Sequence, residues 1–352
     1  MTKITYLVSA LVLLMACDLP AQAQNKDAPQ TKESPKKEKN QKAKAKSKKT
    51  SKEKPKSWRE LAAARFGDNP TEEHKAEINA NLPEATNSPD TPRKVLVFYR
   101  CDGFIHTSIP FCNFAMQSIG EKTGAFSVDL ADTYDVFNTE NLAQYDAIIF
   151  NNTTHLNPSE TQRAAILEFV NSGKGIVGIH AAGDNFGDWP EGVALIGGIF
   201  NGHPWKSGGT WAFKLDDSTH PLNAAFDGKG FWHQDEIYWY RPENFEGREK
   251  LRVLLSLDMS KSANTAAIEG TDIKDRASSP SEVDVPVSWC REIGEGRLFY
   301  TNLGHNDRTF ANTVVLQHIL DGIQYALGDL DADAMPSTEA NATAVPAPDS
   351  AE

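Results

Sequence analysis

Three histidines stand close behind three apolar segments that have the composition of β-strands. His106, His180 and His305 each have a glycine nearby, in the stretches DGFIHTS, GIHAAGD and LGHN. Imidazole can transfer protons near neutral pH, and it can also bind zinc-like divalent metals. The glycines around His180 permit a sharp strand-to-helix turn that presents its side chain at the rim of a sheet, as in a nucleophile elbow. The pattern therefore predicts acid–base chemistry or metal binding where these strands end.

Polar and aromatic residues elsewhere in the chain could complete this site. Asp235 and Glu236 follow an aromatic stretch, and carboxylates there need partners because a buried unpaired charge is destabilising. Aromatic rings can line a site and stack on the apolar faces of sugars. We predict catalytic roles for His180, His305 and Glu236. We predict substrate-binding roles for His106, His203, Asp235, Trp205 and Tyr238.

A divalent metal ion is the cofactor that this set of residues suggests. Its ligands would be His106, His180 and His305, because imidazole is a preferred ligand of zinc-like ions. The chain contains neither an H-x-x-x-H nor an H-E-x-x-H motif, so the sequence leaves acid–base and metal-assisted chemistry both open.

Three further histidines and the cysteines are interpreted as structural. His220 precedes a proline and is expected to cap a turn, and His155 and His318 are expected to fill structural positions. Cys101 lies beside the proposed site, but the acidic residue that follows it disfavours a reactive thiolate. A disulfide between Cys101 and Cys112 is an open alternative for an exported protein.

The elements that would position these residues alternate between strand and helix in the first half of the chain. Strands are predicted at 94–100, 126–131, 146–151 and 175–180. Helices are predicted at 109–122 and 157–171. The second helix would begin with Asn157 as its N-cap and Pro158 at its first position. Apolar runs of this kind, separated by helices, predict an α/β fold with a doubly wound, mainly parallel sheet.

The second half is predicted to be more antiparallel and richer in aromatic residues. Strands are predicted at 210–215, 231–240, 251–257 and 286–293, with a hairpin over 289–302. Helices are predicted at 58–66, 74–82 and 308–327. We interpret 92–328 as one domain, and 58–91 as a polar, helical extension packed on it.

The two ends of the chain differ from the domain in composition. Residues 1–23 combine a lysine, an apolar run and an A-x-A site, as a signal peptide does, and the segment that ends at Cys17 resembles a bacterial lipobox. Residues 24–57 form a lysine-rich linker, and 329–352 form a second polar tail; both are expected to be disordered. We expect an exported protein that is periplasmic, secreted or lipid-anchored.

The net charge of −12 combines two opposite populations. Lys26 to Lys56 carry a net charge of +9, from 13 lysines and four acidic residues, whereas residues 57–352 carry −21. An acidic domain, and lysines without interleaved aromatic residues, argue against nucleic-acid binding. The lysine segment could instead contact an anionic envelope surface. The sequence does not indicate an oligomeric state.

Six stretches together resemble the ThuA-like, or trehalose-utilisation, family: GFIHTSI (103–109), GIHAAGD (178–184), GGIFNGHP (197–204), HPL (220–222), DEIY (235–238) and PVSW…GEGRLFYTNLGHN (286–306). The resemblance implies the flavodoxin-like fold of class I glutamine amidotransferases. Those enzymes carry a cysteine at the elbow, with a later histidine and glutamate. Here His180 stands at the elbow position and His305 stands roughly where the later histidine would be, so glutamine amidotransfer is not expected.

The resemblance also implies a role in carbohydrate utilisation. We expect a protein that acts on a small-molecule sugar or sugar derivative at the histidines, with a hydrolase, lyase or isomerase reaction left open. The alternative is a noncatalytic carbohydrate-binding or scaffolding domain tethered at the cell envelope. That alternative predicts sugar binding that depends on the tryptophans and survives loss of the histidines.

Overall fold

The computed structural model describes residues 56–351. The predicted signal peptide at 1–23, the lipobox at Cys17 and all but the last two residues of the lysine-rich linker lie outside this part. None of the helices within the described part combines the length and apolar character needed to cross a bilayer.

Helices and strands alternate through the first half, as the sequence predicts. Their bounds are α1 Trp58–Phe66, α2 Glu72–Ala80, β1 Lys94–Phe98, α3 Ile109–Thr123, β2 Ser127–Ala131, α4 Thr139–Leu142, β3 Ala147–Asn151, α5 Glu160–Asn171, β4 Gly175–Ile179 and α6 Pro190–Ile196. The second half contains β5 Thr210–Leu215, β6 Phe231–Gln234, β7 Arg252–Leu257, α7 Ser262–Ala266, β8 Pro286–Ile293, β9 Gly296–Thr301 and α8 Thr313–Leu327.

Within residues 56–351, nine strands form one mixed sheet in the order β2-β1-β3-β4-β9-β8-β7-β5-β6. Strands β2, β1, β3, β4 and β9 pair in parallel, and β9, β8, β7, β5 and β6 pair antiparallel. The predicted α/β fold is therefore confirmed, although the sheet is mixed rather than mainly parallel. The predicted antiparallel part is a continuation of the same sheet, joined through β9.

An apolar layer covers each face of the sheet. Successive residues of a strand point to opposite faces, and in β1 the side chains of Val95 and Val97 join one core layer whereas Leu96 and Phe98 join the other. Helices α3 and α8 supply the first layer, and α5 and α6 supply the second. Burial on both faces explains why residues 147–150 of β3 and all of β4 are apolar.

Helix α5 begins two residues later than predicted. Its N-cap is Ser159, whose hydroxyl accepts from the backbone N–H of Gln162 while the Gln162 side chain accepts from the Ser159 N–H. Asn157 cannot serve as the cap because its side chain accepts a hydrogen bond from Arg163 and its N–H donates to the hydroxyl of Tyr134.

Strand β6 ends at Gln234, six residues before the end of the predicted strand at 231–240. The following residues leave the ladder and pair with the loop that precedes β5. Ile237 donates its N–H to the carbonyl of Trp205, and Trp239 donates to the carbonyl of Gly202. This change of partner turns residues 235–238 toward the carboxyl ends of the parallel strands.

The C-terminal segment corrects the prediction of a disordered tail at 329–352. Residues up to 351 are described, and Val345 exchanges both backbone hydrogen bonds with Leu215 on β5. The N–H of Ala347 donates to the carboxylate of Asp258 at 2.9 Å, and Ala347 is buried. Composition misled the prediction because this segment is held mainly by backbone hydrogen bonds, which a polar sequence can form as well as an apolar one.

Candidate functional site

The three predicted histidines meet at the carboxyl edge of the parallel strands. His106 follows β1, His180 follows β4, and His305 follows β9, and ligand sites of open α/β sheets lie at this edge. The ring centroids of His106 and His180 are 5.1 Å apart, those of His106 and His305 are 5.1 Å apart, and those of His180 and His305 are 5.2 Å apart. We call His106, His180 and His305 the histidine cluster.

His180 occupies a strained turn directly after β4. Its φ of 44° lies in the left-handed region, which residues with a Cβ seldom adopt. The hydroxyl of Tyr300 donates to the carbonyl of His180 at 2.7 Å and so holds the turn. Gly304 packs against the same turn with a φ of 129°, and a Cβ there would lie 3.0 Å from Ile179. The local geometry is that of an elbow that presents one side chain at the rim.

The orientation of the His180 ring is fixed by a backbone carbonyl. Its Nδ1 lies 2.7 Å from the carbonyl oxygen of Asn302, which can only accept, so Nδ1 carries the proton. Burial lowers the pKa of His180 to about 4, which leaves the ring neutral at pH 7. Its Nε2 therefore offers a lone pair to the cluster, 3.3 Å from Nδ1 of His305.

His106 is buried beside the other two rings. Its Nδ1 finds no hydrogen-bond partner among the described residues. Burial, helped by the neighbouring histidines, holds the pKa of His106 well below its usual value. A buried polar nitrogen without a partner is unfavourable, so this nitrogen is a candidate contact for a ligand.

Glu236 contacts His203 and one member of the histidine cluster, His305. Its Oε2 lies 2.9 Å from Nδ1 of His203, and its Oε1 lies 3.4 Å from Nδ1 of His305. Burial alone would raise the pKa of Glu236, but the hydrogen bonds from His203 and His305 outweigh it and lower that pKa. Burial alone would lower the pKa of His305, whereas its contact with Glu236 raises it. His305 and Glu236 thus stabilise each other's charged forms beside a neutral His180.

Asp235 supports the loop that carries His305. Its carboxylate is fully buried and accepts hydrogen bonds from the N–H of Gly304 at 2.7 Å, the N–H of Asn306 at 2.9 Å and the hydroxyl of Thr309 at 2.8 Å. The predicted substrate contact through Asp235 is therefore corrected, because these donors occupy both of its oxygens. Asp235 acts on the site through the position of His305.

Trp205 lies in the core, away from the cluster. Its side chain is fully buried, and its indole N–H donates to the carbonyl of Asn264 at 3.0 Å. The predicted substrate contact through Trp205 is corrected, because the backbone pairing with Ile237 directs the indole inward. His203, by contrast, lies at the site through its contact with Glu236, and about a third of its side chain is exposed.

Tyr238 lines the site through its contact with His180, since their ring centroids are 4.5 Å apart. Asn302 positions both residues: its carbonyl accepts from His180, and its side-chain oxygen accepts from the backbone N–H of Tyr238 at 2.8 Å. The Asn302 amide also donates to the hydroxyl of Tyr300, which in turn holds the His180 carbonyl. Sequence reasoning missed Asn302 and Tyr300, because it considered mainly titratable residues and rings that could contact a sugar.

The three histidines that were interpreted as structural occupy structural positions. His220 is the N-cap of a short 3-10 helix, where its ring accepts from the N–H of Leu222. His318 is buried and bonds to the carbonyl of Leu222 and to the hydroxyl of Ser288. His155 contacts the carboxylate of Asp184 at 3.2 Å.

The cysteines within the described part are free and buried thiols. The alternative of a disulfide between Cys101 and Cys112 is therefore excluded in this structure. Burial raises the pKa of Cys101 to about 12, which removes it as a nucleophile at neutral pH.

Two residues at the mouth of the cluster were not predicted from the sequence. The ring of Phe104 is 56% exposed and lies 4.8 Å from the ring of His106. The guanidinium of Arg65, on α1, lies 5.3 Å from the centre of the Phe104 ring, and its Nε donates to the carbonyl of Ile105 at 3.0 Å. Helix α1 therefore contributes a side chain to the surroundings of the site.

The donor set of the histidine cluster fits a divalent metal. One ring nitrogen from each histidine lies within 4.8 Å of the others. Two nitrogens on one tetrahedral zinc ion, at bonds of about 2.0–2.1 Å, would be roughly 3.4 Å apart, and the His180 and His305 nitrogens are 3.3 Å apart. The Asn302 carbonyl on the second nitrogen of His180 is the kind of partner that metal-binding histidines usually have.

A separate surface groove runs along β6 and the C-terminal segment. It has a volume of about 720 Å³ and is lined by residues that include Trp232, His233 and Pro346. The groove shares no lining residue with the histidine cluster or Glu236. Its lining contains one histidine and no carboxylate. We therefore place the candidate chemistry at the histidine cluster.

Comparisons with known proteins bear on this fold. A family model described as "ThuA: Trehalose utilisation" matches residues 94–326. A ThuA-like protein from Bacteroides uniformis ATCC 8492 has a TM-score of 0.53 and 21% identity, with 72% of this chain and 99% of that chain covered. A ThuA-like protein from Parabacteroides merdae ATCC 43184 has a TM-score of 0.50 and 18% identity, with 71% and 100% covered. No curated protein sequence matches the chain. At these identities the two structures bear on the fold alone.

Proposed function

The chain belongs to the ThuA, or trehalose utilisation, family, and from this premise we propose that it acts on a sugar or sugar derivative at the histidine cluster. The observation that carries the proposal is the convergence of His106, His180 and His305 with Glu236 at the carboxyl edge of the sheet. The family match supports a carbohydrate-related role, and the site geometry supports the place at which a sugar is handled.

The cluster is built for proton transfer to or from a sugar. The Nε2 of neutral His180 offers a lone pair that could accept a proton from a hydroxyl or from a carbon beside a carbonyl. His305 in its protonated form, which Glu236 stabilises, could donate a proton to a leaving or developing oxygen. A base and an acid whose environments differ in this way are the usual parts of an acid–base site.

The same nitrogens could instead hold a divalent metal. The fit rests on the nitrogen separations and on the unpartnered Nδ1 of His106. A zinc-like ion there would polarise a carbonyl or hydroxyl oxygen of the sugar. In this arrangement Glu236 stays beside the ligands and could take up a proton, while Asn302 keeps the ring of His180 in place.

The noncatalytic alternative keeps part of its support. Trp205 and Trp289 are fully buried, whereas Trp232 is partly exposed and lines the groove along β6. Sugar binding in that groove would survive loss of the histidines, which distinguishes the alternative from the proposal. Export and contact of Lys26–Lys56 with an anionic envelope surface stay part of the proposal, on the composition of residues 1–57.

The test is a comparison of the wild-type chain with the variants His180→Ala and His74→Gln. A panel of oxidised and unoxidised disaccharides is screened for binding by calorimetry and for turnover, and the metal content of the purified protein is measured. We expect His180→Ala to reduce sugar affinity or turnover at least tenfold. His74 lies on α2 outside the cluster, so His74→Gln should behave as wild type. Equal binding and turnover in both variants would overturn the proposal.

A further inference from the structure

The mouth of the histidine cluster carries a cation that the described part of the chain leaves without a counterion. Arg65 donates its Nε to the carbonyl of Ile105, and no carboxylate among residues 56–351 lies within 4.0 Å of its guanidinium. Arg59, on the same helix, is instead held by both oxygens of Asp132 at 2.8 and 2.7 Å. The remaining N–H groups of Arg65 are thus free to bind a ligand.

Two contacts place Arg65 beside the cluster rather than on a remote surface. Its guanidinium covers the ring of Phe104 at 5.3 Å, and that ring lies 4.8 Å from the ring of His106.

A second cation approaches the cluster from the loop before β5. The Nζ of Lys206 lies 3.2 Å from Nδ1 of His203, which contacts Glu236. No carboxylate in the described part lies within 4.0 Å of the Lys206 ammonium. Residues 57–352 carry a net charge of −21, so two cations without carboxylate partners at one site are unexpected in so acidic a domain. A site that focuses positive charge attracts anions.

We propose that the sugar handled at the histidine cluster carries an anionic group, a carboxylate or a phosphate, which Arg65 binds while Phe104 stacks on the ring of the sugar. The inference rests on the proposed function and adds the class of substrate. The planar guanidinium matches the two oxygens of a carboxylate or phosphate. Lys206 strengthens the positive potential without being the principal contact.

Arg65 lies outside residues 94–326, which the family model matches. Recognition of the anionic group is therefore a property that α1 adds to the family domain. This arrangement explains why the ring of Phe104 is exposed. One face of the ring contacts the guanidinium, and the remaining surface is available to a sugar.

The experiment measures binding to the full chain by isothermal titration calorimetry with three probes. They are trehalose, trehalose 6-phosphate and a disaccharide that contains glucuronic acid. We expect at least one anionic probe to bind about tenfold more tightly than trehalose, which corresponds to about 1.4 kcal/mol. The phosphate and uronate arms distinguish the two sources of the anion. Trehalose that binds as tightly as both anionic probes, or the absence of binding by both, would overturn the inference.

Variants of the two arginines on α1 sharpen the test. Arg65→Gln should weaken binding of the anionic probe about tenfold and leave binding of trehalose unchanged. Arg65→Lys should recover part of the lost affinity for the anionic probe. The matched control Arg59→Gln removes the same charge from the same helix and should leave binding of all probes unchanged. Wild-type affinity of Arg65→Gln for the anionic probes contradicts the inference. If His180→Ala nevertheless abolishes sugar binding, the proposed function stands and only the anionic group is wrong.

Discussion

Substitution of Asp235 by asparagine should loosen the loop that carries His305. One carboxylate oxygen accepts from the N–H groups of Glu236 and Asn306, and the other accepts from Gly304 and the hydroxyl of Thr309. Asparagine keeps one acceptor oxygen and replaces the other with an amide that only donates. The hydroxyl of Thr309 can rotate to accept from that amide, but the N–H of Gly304 cannot.

The expected loss of stability follows from these contacts. A buried N–H left unsatisfied costs about 1–3 kcal/mol, and the remaining hydrogen bonds weaken because their acceptor is no longer charged. We expect Asp235→Asn to lower the free energy of unfolding by about 3 kcal/mol and the melting temperature by on the order of 5–10 °C. Sugar binding should weaken as well, because Gly304 and Asn306 flank His305.

Urea unfolding and calorimetric sugar titration measure the two effects. Asp129→Asn is the matched control, because Asp129 contacts Lys94 and Tyr145 but is about half exposed, so its loss should be less than about 1 kcal/mol. If Asp235→Asn unfolds like this control and binds sugar like wild type, the assignment of Asp235 to the support of His305 is refuted.

Three further predictions concern the elements around the site. Tyr300→Phe removes the hydroxyl that donates to the His180 carbonyl. The free energy of unfolding in urea should fall by about 1–3 kcal/mol, and sugar binding should weaken. Unchanged values of both would contradict the role of this hydroxyl. Cys101 should resist iodoacetamide at pH 7 in the native protein, because burial raises its pKa to about 12. It should react after unfolding, which peptide mass spectrometry would show. Rapid labelling of the native protein would contradict the burial of Cys101. Removal of residues 336–351 should lower the melting temperature by several degrees, because it deletes the pairing of Val345 with β5. An unchanged melting temperature would show that the segment adds no stability.

Much of the fold could be predicted because its signals are local. Residues 147–150 are apolar at every position, and such runs mark strands that are covered on both faces. The end of the strand that begins at Phe231 could not be predicted in this way. It depends on the loop around Trp205, which offers an alternative backbone partner that is distant in sequence. The C-terminal segment was missed for the same reason, since its partner is β5.

The candidate site could be predicted in part. The three histidines were found because strand ends of a parallel sheet meet at one edge, a rule that needs no side-chain detail. The supporting roles of Asp235 and Asn302 were not visible in the sequence. Whether a buried polar side chain faces a ligand or holds a loop depends on which backbone groups surround it. Arg65 was missed because α1 reaches the site only through tertiary packing.

A crystal structure of the protein with the tightest-binding sugar of the panel would locate the sugar site. We expect the polar groups of the sugar to lie within hydrogen-bond distance of Nε2 of His180 or of the Glu236 carboxylate, with the sugar ring beside Phe104. A sugar bound instead in the groove along β6, between Trp232 and Pro346, with the histidine cluster free of sugar, would show that the cluster is not the sugar site.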